Sequence, residues 1–334
     1  MTKFRDEDYM HASARVKVIE KSLLGEDAVR KMAEAHSMDE AWKIANDAGI
    51  GIGMPSADYE KALSASVEGA YATVKELLRG KDGVLELFRM KYDAHNLKTL
   101  VKASKAGARP ELLSPLGNVP AEKLAEELDA RAFGKELPQE LADAALSAVE
   151  NLAKNGDPQA VDLAIDRAWL TVVTKRASGY QNKFINDWAR TQVDLANIRA
   201  LVRVKRMGRD GALLREAAAP GGTFAPGELA DALEHDWDDI FAFIRRAPCS
   251  KYIEPAFEDI KASRPLSRFE KLCDNASIAV LKRARYVPFG IEPVLAWLLA
   301  KENEAQAARI VFACKAAGIA PADIIERSRD SYAQ

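Results

Sequence analysis

An all-α fold is what this sequence predicts, on three observations. Apolar residues recur with a period near 3.6 almost throughout. Strand-like alternation is scarce: Ile50 to Met54 come closest, and glycines interrupt them. The long periodic runs stop at Gly80, Gly107, Gly208 and Gly318, and glycine is the residue that closes a helix just past its last turn. Segment 184–202 illustrates the period, with Phe184, Ile185, Trp188, Leu195, Ile198, Leu201 and Val202 along one side of a helix. Gly and Pro number 19 and 14 of 334 residues, too little turn chemistry for an all-β chain of this size.

In chain order, the pattern predicts helices near 6–23, 27–35, 38–48, 56–79, 84–106, 120–130 and 138–154. Others follow near 157–178, 180–207, 226–246, 266–286, 290–317 and 321–329. Starts are legible too. Asp157-Pro158 pairs an N-cap with a proline at the first helical position, and Ser56 precedes another run.

Composition bounds the function classes. Hydrophobic residues make up 48% and charged residues 29%, enough to bury a sizeable core and to exclude disorder as the main state. Lys plus Arg is 48 against 50 for Asp plus Glu, so the net charge of −2 gives no overall footprint for nucleic acid or anionic lipid. Three widely spaced cysteines, Cys249, Cys273 and Cys314, form no disulfide framework, and the four scattered histidines form no metal-ligand spacing. With no run near 18 apolar residues and no apolar leader at the N-terminus, the expectation is a soluble, cytosolic protein unless a partner holds it at a membrane.

The most informative feature is an internal repeat. Residues 89–107 (RMKYDAHNLKTLVKASKAG) and 190–208 (RTQVDLANIRALVRVKRMG) share six identities at an offset of 101: Arg89/Arg190, Asp93/Asp194, Asn96/Asn197, Leu100/Leu201, Val101/Val202 and Gly107/Gly208. Lys98/Arg199 is among four conservative pairs. A weaker third copy, at a further offset of 110, sets Glu304 where Asp194 falls, Arg309 where Arg199 falls and Gly318 where Gly208 falls, while the asparagine becomes Ala307. The period is too long for a short-repeat solenoid and implies three homologous helical domains, 1–109, 110–211 and 212–334, with boundaries in the Pro/Gly-bearing stretches 107–119 and 208–227.

Helical spacing puts Arg(i) and Asp(i+4) on one face, and Asn(i+7) close in angle to the basic residue at i+9. Two readings follow. The constellation Arg89, Asp93, Asn96, Lys98, Arg190, Asp194, Asn197, Arg199, Glu304 and Arg309 is a polar surface for a partner, or it ties the helices of each domain together through buried hydrogen bonds. Other candidates read as structure. Gly49, Gly51 and Gly53 have neither the preceding strand nor the following Lys-Ser/Thr of a phosphate loop, and His95 has no nucleophile nearby. Cys314 reads as core, and Lys98, Lys102 and Lys105 as a solvated face. A magnesium-dependent prenyl-chain enzyme would use Asp236, Asp238 and Asp239 with Asn186-Asp187…Arg190…Asp194. Ala242 and Arg190 then stand where oxygen ligands are needed.

Several stretches resemble one family. Residues 9–24 (YMHASARVKVIEKSLL), Tyr92-Asp93-Ala-His-Asn96-Leu97-Lys98, Asp194-Leu-Ala-Asn197-Ile198-Arg199 and the stretch from Phe289-Gly290 to Glu304 are similar to the C subunit of V-type (A-type) ATPases, whose eukaryotic equivalent is the d subunit of the vacuolar proton pump. The resemblance spans nearly the whole chain, and Ala307-Ala308 departs from it only in the third copy. It implies a funnel of three helical domains about a pseudo-threefold axis. It also implies a non-catalytic coupling between the central shaft and the membrane rotor ring, in single copy, on the cytoplasmic side, without cofactor, metal or nucleic acid. No compact contact motif carries over to particular residues.

Overall fold

The computed structural model describes residues 4–106 and 113–333. Its helices, in chain order, are α1 (Met10–Ile19), α2 (Glu26–Glu34), α3 (Met38–Asp47), α4 (Tyr59–Leu78), α5 (Leu85–Ala106), α6 (Ala121–Asp129), α7 (Gln139–Asn155), α8 (Pro158–Ala177) and α9 (Lys183–Arg206). They continue with α10 (Gly211–Ala217), α11 (Pro226–Ala232), α12 (Trp237–Ile244), α13 (Ser250–Ile253), α14 (Phe257–Lys261), α15 (Ser267–Lys282), α16 (Ile291–Ala316) and α17 (Pro321–Arg327). No strand occurs among the described residues, so the chain is all-α.

Local chemistry explains where the helices begin and end. Asp157 caps α8 by accepting the Gln159 N–H at 2.9 Å. Gly80, Gly208 and Gly318 take positive φ after their helices, whereas Gly107 lies outside the described residues. The run expected at 226–246 is two helices, α11 and α12, because the Asp236 side chain accepts the Asp239 N–H at 3.0 Å and starts α12 afresh. Likewise 6–23 divides into short 3-10 turns on either side of α1, and α10, α13 and α14 are too short to show as periodicity. Residues 49–53 form a turn with positive φ at all three glycines, not a strand.

The chain divides into two compact units. The first comprises residues 83–181 and 185–250. Here α5 packs on α6, α7 and α8, and α10 packs on α8 and α11. Phe88 and Trp188 meet with ring centroids 4.6 Å apart, Phe224 stacks on Phe243 at 4.4 Å, and Leu170, Val193 and Ala219 form a buried cluster. The second unit comprises residues up to 82, 182–184 and 251 onward. Its centre is α16, which α1, α2, α3, α4, α15 and α17 surround. From Ile291 to Ala300 every residue but Glu292 is buried, as expected of a helix apolar all round. Trp42 and Tyr59 both meet Phe312, each at 5.4 Å. These units cut across the boundaries expected from the repeat: α5 packs with α6, α7 and α8, which lie beyond residue 109.

Candidate functional site: the repeated carboxylates

The repeated polar residues turn inward. Asp93 and Asn96 are 0% exposed and Asp194 and Asn197 are 1%, so none of the four offers a surface to a partner. Each Asp sits in the middle of a long helix and holds the loop that opens the following copy. On α5, Asp93 Oδ1 accepts the Val119 N–H at 3.1 Å, and Oδ2 accepts the Asn118 side-chain amide at 2.9 Å. On α9, Asp194 Oδ1 accepts the Thr223 N–H at 2.5 Å, and Oδ2 accepts the Thr223 hydroxyl at 2.8 Å.

The asparagine one turn on holds the same loop a few residues earlier, by both faces of one residue. Asn96 Nδ2 donates to the Ser114 carbonyl and its Oδ1 accepts the Ser114 N–H, both at 2.8 Å. Asn197 does the same to Ala219, at 2.8 and 2.9 Å. An amide is the side chain suited to this task, since it offers one donor and one acceptor side by side. The loops have their own matched requirement. A Cβ on Gly117 would lie 2.5 Å from Asp93 Oδ1, and one on Gly222 would lie 2.4 Å from Asp194 Oδ1, so both loops need glycine for the close approach. Carboxylate, asparagine and glycine-bearing loop together make a latch.

The third copy performs the task with different chemistry. Glu304 on α16, 4% exposed, accepts the Leu24 N–H at 2.7 Å and also bonds the Lys301 ammonium. Ala307 makes no such tie, and the Leu24 carbonyl is held instead by the Ser331 hydroxyl at 2.5 Å. Asn275 on α15 donates to the Asp330 side-chain carboxylate at 2.6 Å and accepts the Asp330 N–H at 3.0 Å.

Electrostatics follow from burial. Loss of water pushes the Asp93 carboxyl up to about 6, opposed by the Val119 and Asn118 donors and by the charge of Arg89. Asp194 and Glu304 are raised for the same first reason, with Thr223 and Arg190 opposing at the one and Lys301 and Leu24 at the other. The arginines thus act on the aspartates through charge, while the loop supplies the hydrogen bonds. Arg89 is half-buried and Arg190 exposed. Lys98 pairs with Asp166 at 2.7 Å and Lys102 with Asp162 at 2.5 Å, both pairs partly exposed, and Lys105 is exposed. Arg199 is half-buried on α9, and Arg309 pairs with Glu60 at 2.8 Å.

Among the described residues no group of His, Cys, Asp and Glu is arranged to hold a metal ion. Asp236 is a helix cap, and Asn186 donates to the Tyr180 carbonyl at 3.1 Å. Burial and the charge of Asp194 push the Cys249 thiol up to about 12, which leaves it a thiol at neutral pH. His95 is exposed, and Cys314 is half-buried where a core position was expected. No helix among the described residues is long and apolar enough to cross a membrane. Sequence reasoning found the carboxylates and missed their loop partners. The signal was a glycine followed by a side-chain donor, Gly117-Asn118 and Gly222-Thr223, a similar distance after each aspartate.

Comparison with known proteins finds relatives along nearly the whole chain. The chain is 23% identical to the C subunit of the A-type ATP synthase of Methanocaldococcus jannaschii, over 95% of this chain and 85% of that one. Identity is 26% to the protein of the same name from Haloferax volcanii, over 94% of each chain. It is 21% to the C subunit of the V-type sodium ATPase of Enterococcus hirae, over 97% of this chain and 99% of that one. The profile of the ATP synthase (C/AC39) subunit family matches residues 12–327, a span that includes Asp93, Asp194 and Glu304. The chain belongs to the ATP synthase (C/AC39) subunit family and is a non-catalytic subunit of a V/A-type ATP synthase complex.

Proposed function

We propose that this chain is the central-stalk coupling of a rotary V/A-type ATPase, seated between the soluble shaft and the membrane rotor ring and passing torque between them. In this reading it is a peripheral subunit on the cytoplasmic side, built from three homologous domains, 1–109, 110–211 and 212–334, as a pseudo-threefold funnel. The observation that supports it best is the use to which the repeated polar residues are put. Asp93, Asp194 and Glu304 are consumed in tying chain to chain, which suits a body that must resist shear rather than one that binds and releases a substrate. Full-length similarity to subunits of both synthase and sodium-ATPase complexes supports the same reading. The test is to deplete the protein from membranes that carry the assembled motor. ATP hydrolysis by the soluble head should persist while hydrolysis-driven ion transport is lost. Normal transport in membranes lacking this chain would contradict the proposal.

A further inference from the structure

Residues 328–333 follow α17 with no helix or strand, and side chains of other elements hold them in place. From α15, Asp274 takes the Arg329 guanidinium at 2.9 Å, and Asn275 holds Asp330 by both its N–H and its carboxylate. From α16, Asn303 donates to the Asp330 carbonyl at 3.2 Å. From the 3-10 turn Arg283–Tyr286, Arg285 donates to the Tyr332 carbonyl at 3.3 Å and lies over the Tyr332 ring at 5.7 Å.

These ties close a triangle of chain. Asn303 and Glu304 are neighbours on α16; the first holds Asp330, and the second accepts the Leu24 N–H at 2.7 Å. Ser331 makes the third side by donating to the Leu24 carbonyl at 2.5 Å, across 307 residues of sequence. Leu24 therefore depends on α16 for its N–H and on the 328–333 segment for its carbonyl. Hydrogen bonds that share members in this way strengthen and fail together.

One member of the segment works against the rest. Tyr332 is 2% exposed, and its hydroxyl is buried with no hydrogen-bond partner among the described residues. A buried donor left unpaired destabilises the closed arrangement, and opening relieves it because water then reaches the group. The fastenings differ in kind from the core as well. Ser328, Arg329 and Asp330 are half-buried and held by polar ties, whereas α16 is buried in an apolar surround from Val294 to Ala300. Segments of the first kind open at lower free energy than the core does. From the triangle and the unpaired hydroxyl, we infer that residues 328–333 are a releasable clasp. They open together with the turn before α2, ahead of the α16 core, and the Tyr332 hydroxyl sets how readily they do so. The device lies wholly within the second compact unit and does not depend on the stalk reading.

Amide hydrogen exchange on the full chain tests it, with the slowest amides of α16 as the reference in each sample. In wild type the Leu24 and Asp330 amides should be protected, should exchange well before the reference, and should share one dependence on denaturant, as one opening requires. Tyr332→Phe keeps the ring and removes the unpaired donor, so it should raise the protection of both amides about fivefold or more relative to the reference. Asn275→Ala should lower the protection of Leu24 about fivefold or more, although Asn275 bonds Asp330 and not Leu24. A purely local role for Asn275 would leave Leu24 unmoved. A Leu24 amide that exchanges only with the reference, that ignores Asn275→Ala, or that gains nothing from Tyr332→Phe would overturn the inference.

Discussion

Asp194 and Glu304 occupy corresponding places on α9 and α16, yet they hold different kinds of chain. Asp194 reaches a loop 29 residues ahead of it, whereas Glu304 reaches back 280 residues, to Leu24. The chain so held is the loop before α11 in the one and the segment before α2 in the other. The difference teaches that the repeat preserves a task, the fastening of the next copy's first residues to the middle of a long helix, rather than a set of residues. Where the next copy is continuous in sequence, an Asp–Asn pair does it. In the third stretch the asparagine is gone, a longer acid reaches the Leu24 amide, and the Ser331 hydroxyl holds the Leu24 carbonyl.

The largest expected effect breaks the third latch. Glu304→Ala removes the acceptor of the Leu24 N–H and leaves Lys301, whose side chain is 12% exposed, without its carboxylate. Uncompensated burial of a charge should cost about 3 to 5 kcal/mol in chemical denaturation. Asp194→Ala strands the Thr223 N–H and hydroxyl without leaving a buried lysine, so about 2 to 4 kcal/mol is expected. A smaller loss at Glu304 than at Asp194 would reverse the comparison.

Next in size is the asparagine. Asn197→Ala orphans both the N–H and the carbonyl of the buried Ala219, and about 2 to 3 kcal/mol should be lost. Asn96→Ala should cost less, because Ser114 is only partly buried and water can replace the amide. Equal losses at the two sites would show that burial does not set their strength.

A pH profile sharpens the account of the first latch. Asp93 titrates near 6 in the fold against 3.8 as an ordinary aspartate. A carboxyl raised by folding favours the folded state most when protonated. Its contribution is therefore full below the ordinary value and is lost as pH rises through about 6. The stability of wild type relative to Asp93→Asn should fall by about 2 to 3 kcal/mol across that window. A flat difference would mean that the donors of the loop cancel the effect of burial, and a rise with pH that they outweigh it. The smallest effects are expected at the surface. Arg309→Ala removes a half-exposed pair with Glu60 and should change stability by about 1 kcal/mol or less.

These contrasts also explain how much was legible in the sequence. The all-α class, the long helices and the repeated Asp and Asn stood out, because helical period and identity at one offset are local signals. The partners did not. Gly117 and Gly222 follow their aspartates at similar but unequal distances, outside the one offset that aligns the helices, and Leu24 precedes Glu304 by most of the chain. Helix spacing pointed to Arg89 and Arg190 as the aspartates' partners because i to i+4 geometry is visible in sequence and loop closure is not. The same limit hid the carboxylates that Lys98 and Lys102 meet at the surface, Asp166 and Asp162 on α8.

Amide hydrogen exchange at Thr223 and Leu24 tests the latch most directly, in wild type and in Asp194→Ala under conditions where both remain folded. The account predicts that both amides are protected in wild type, and that Asp194→Ala releases Thr223 while leaving Leu24 protected. A Thr223 amide that exchanges as fast as a free peptide in wild type, or that keeps its protection without Asp194, would contradict it.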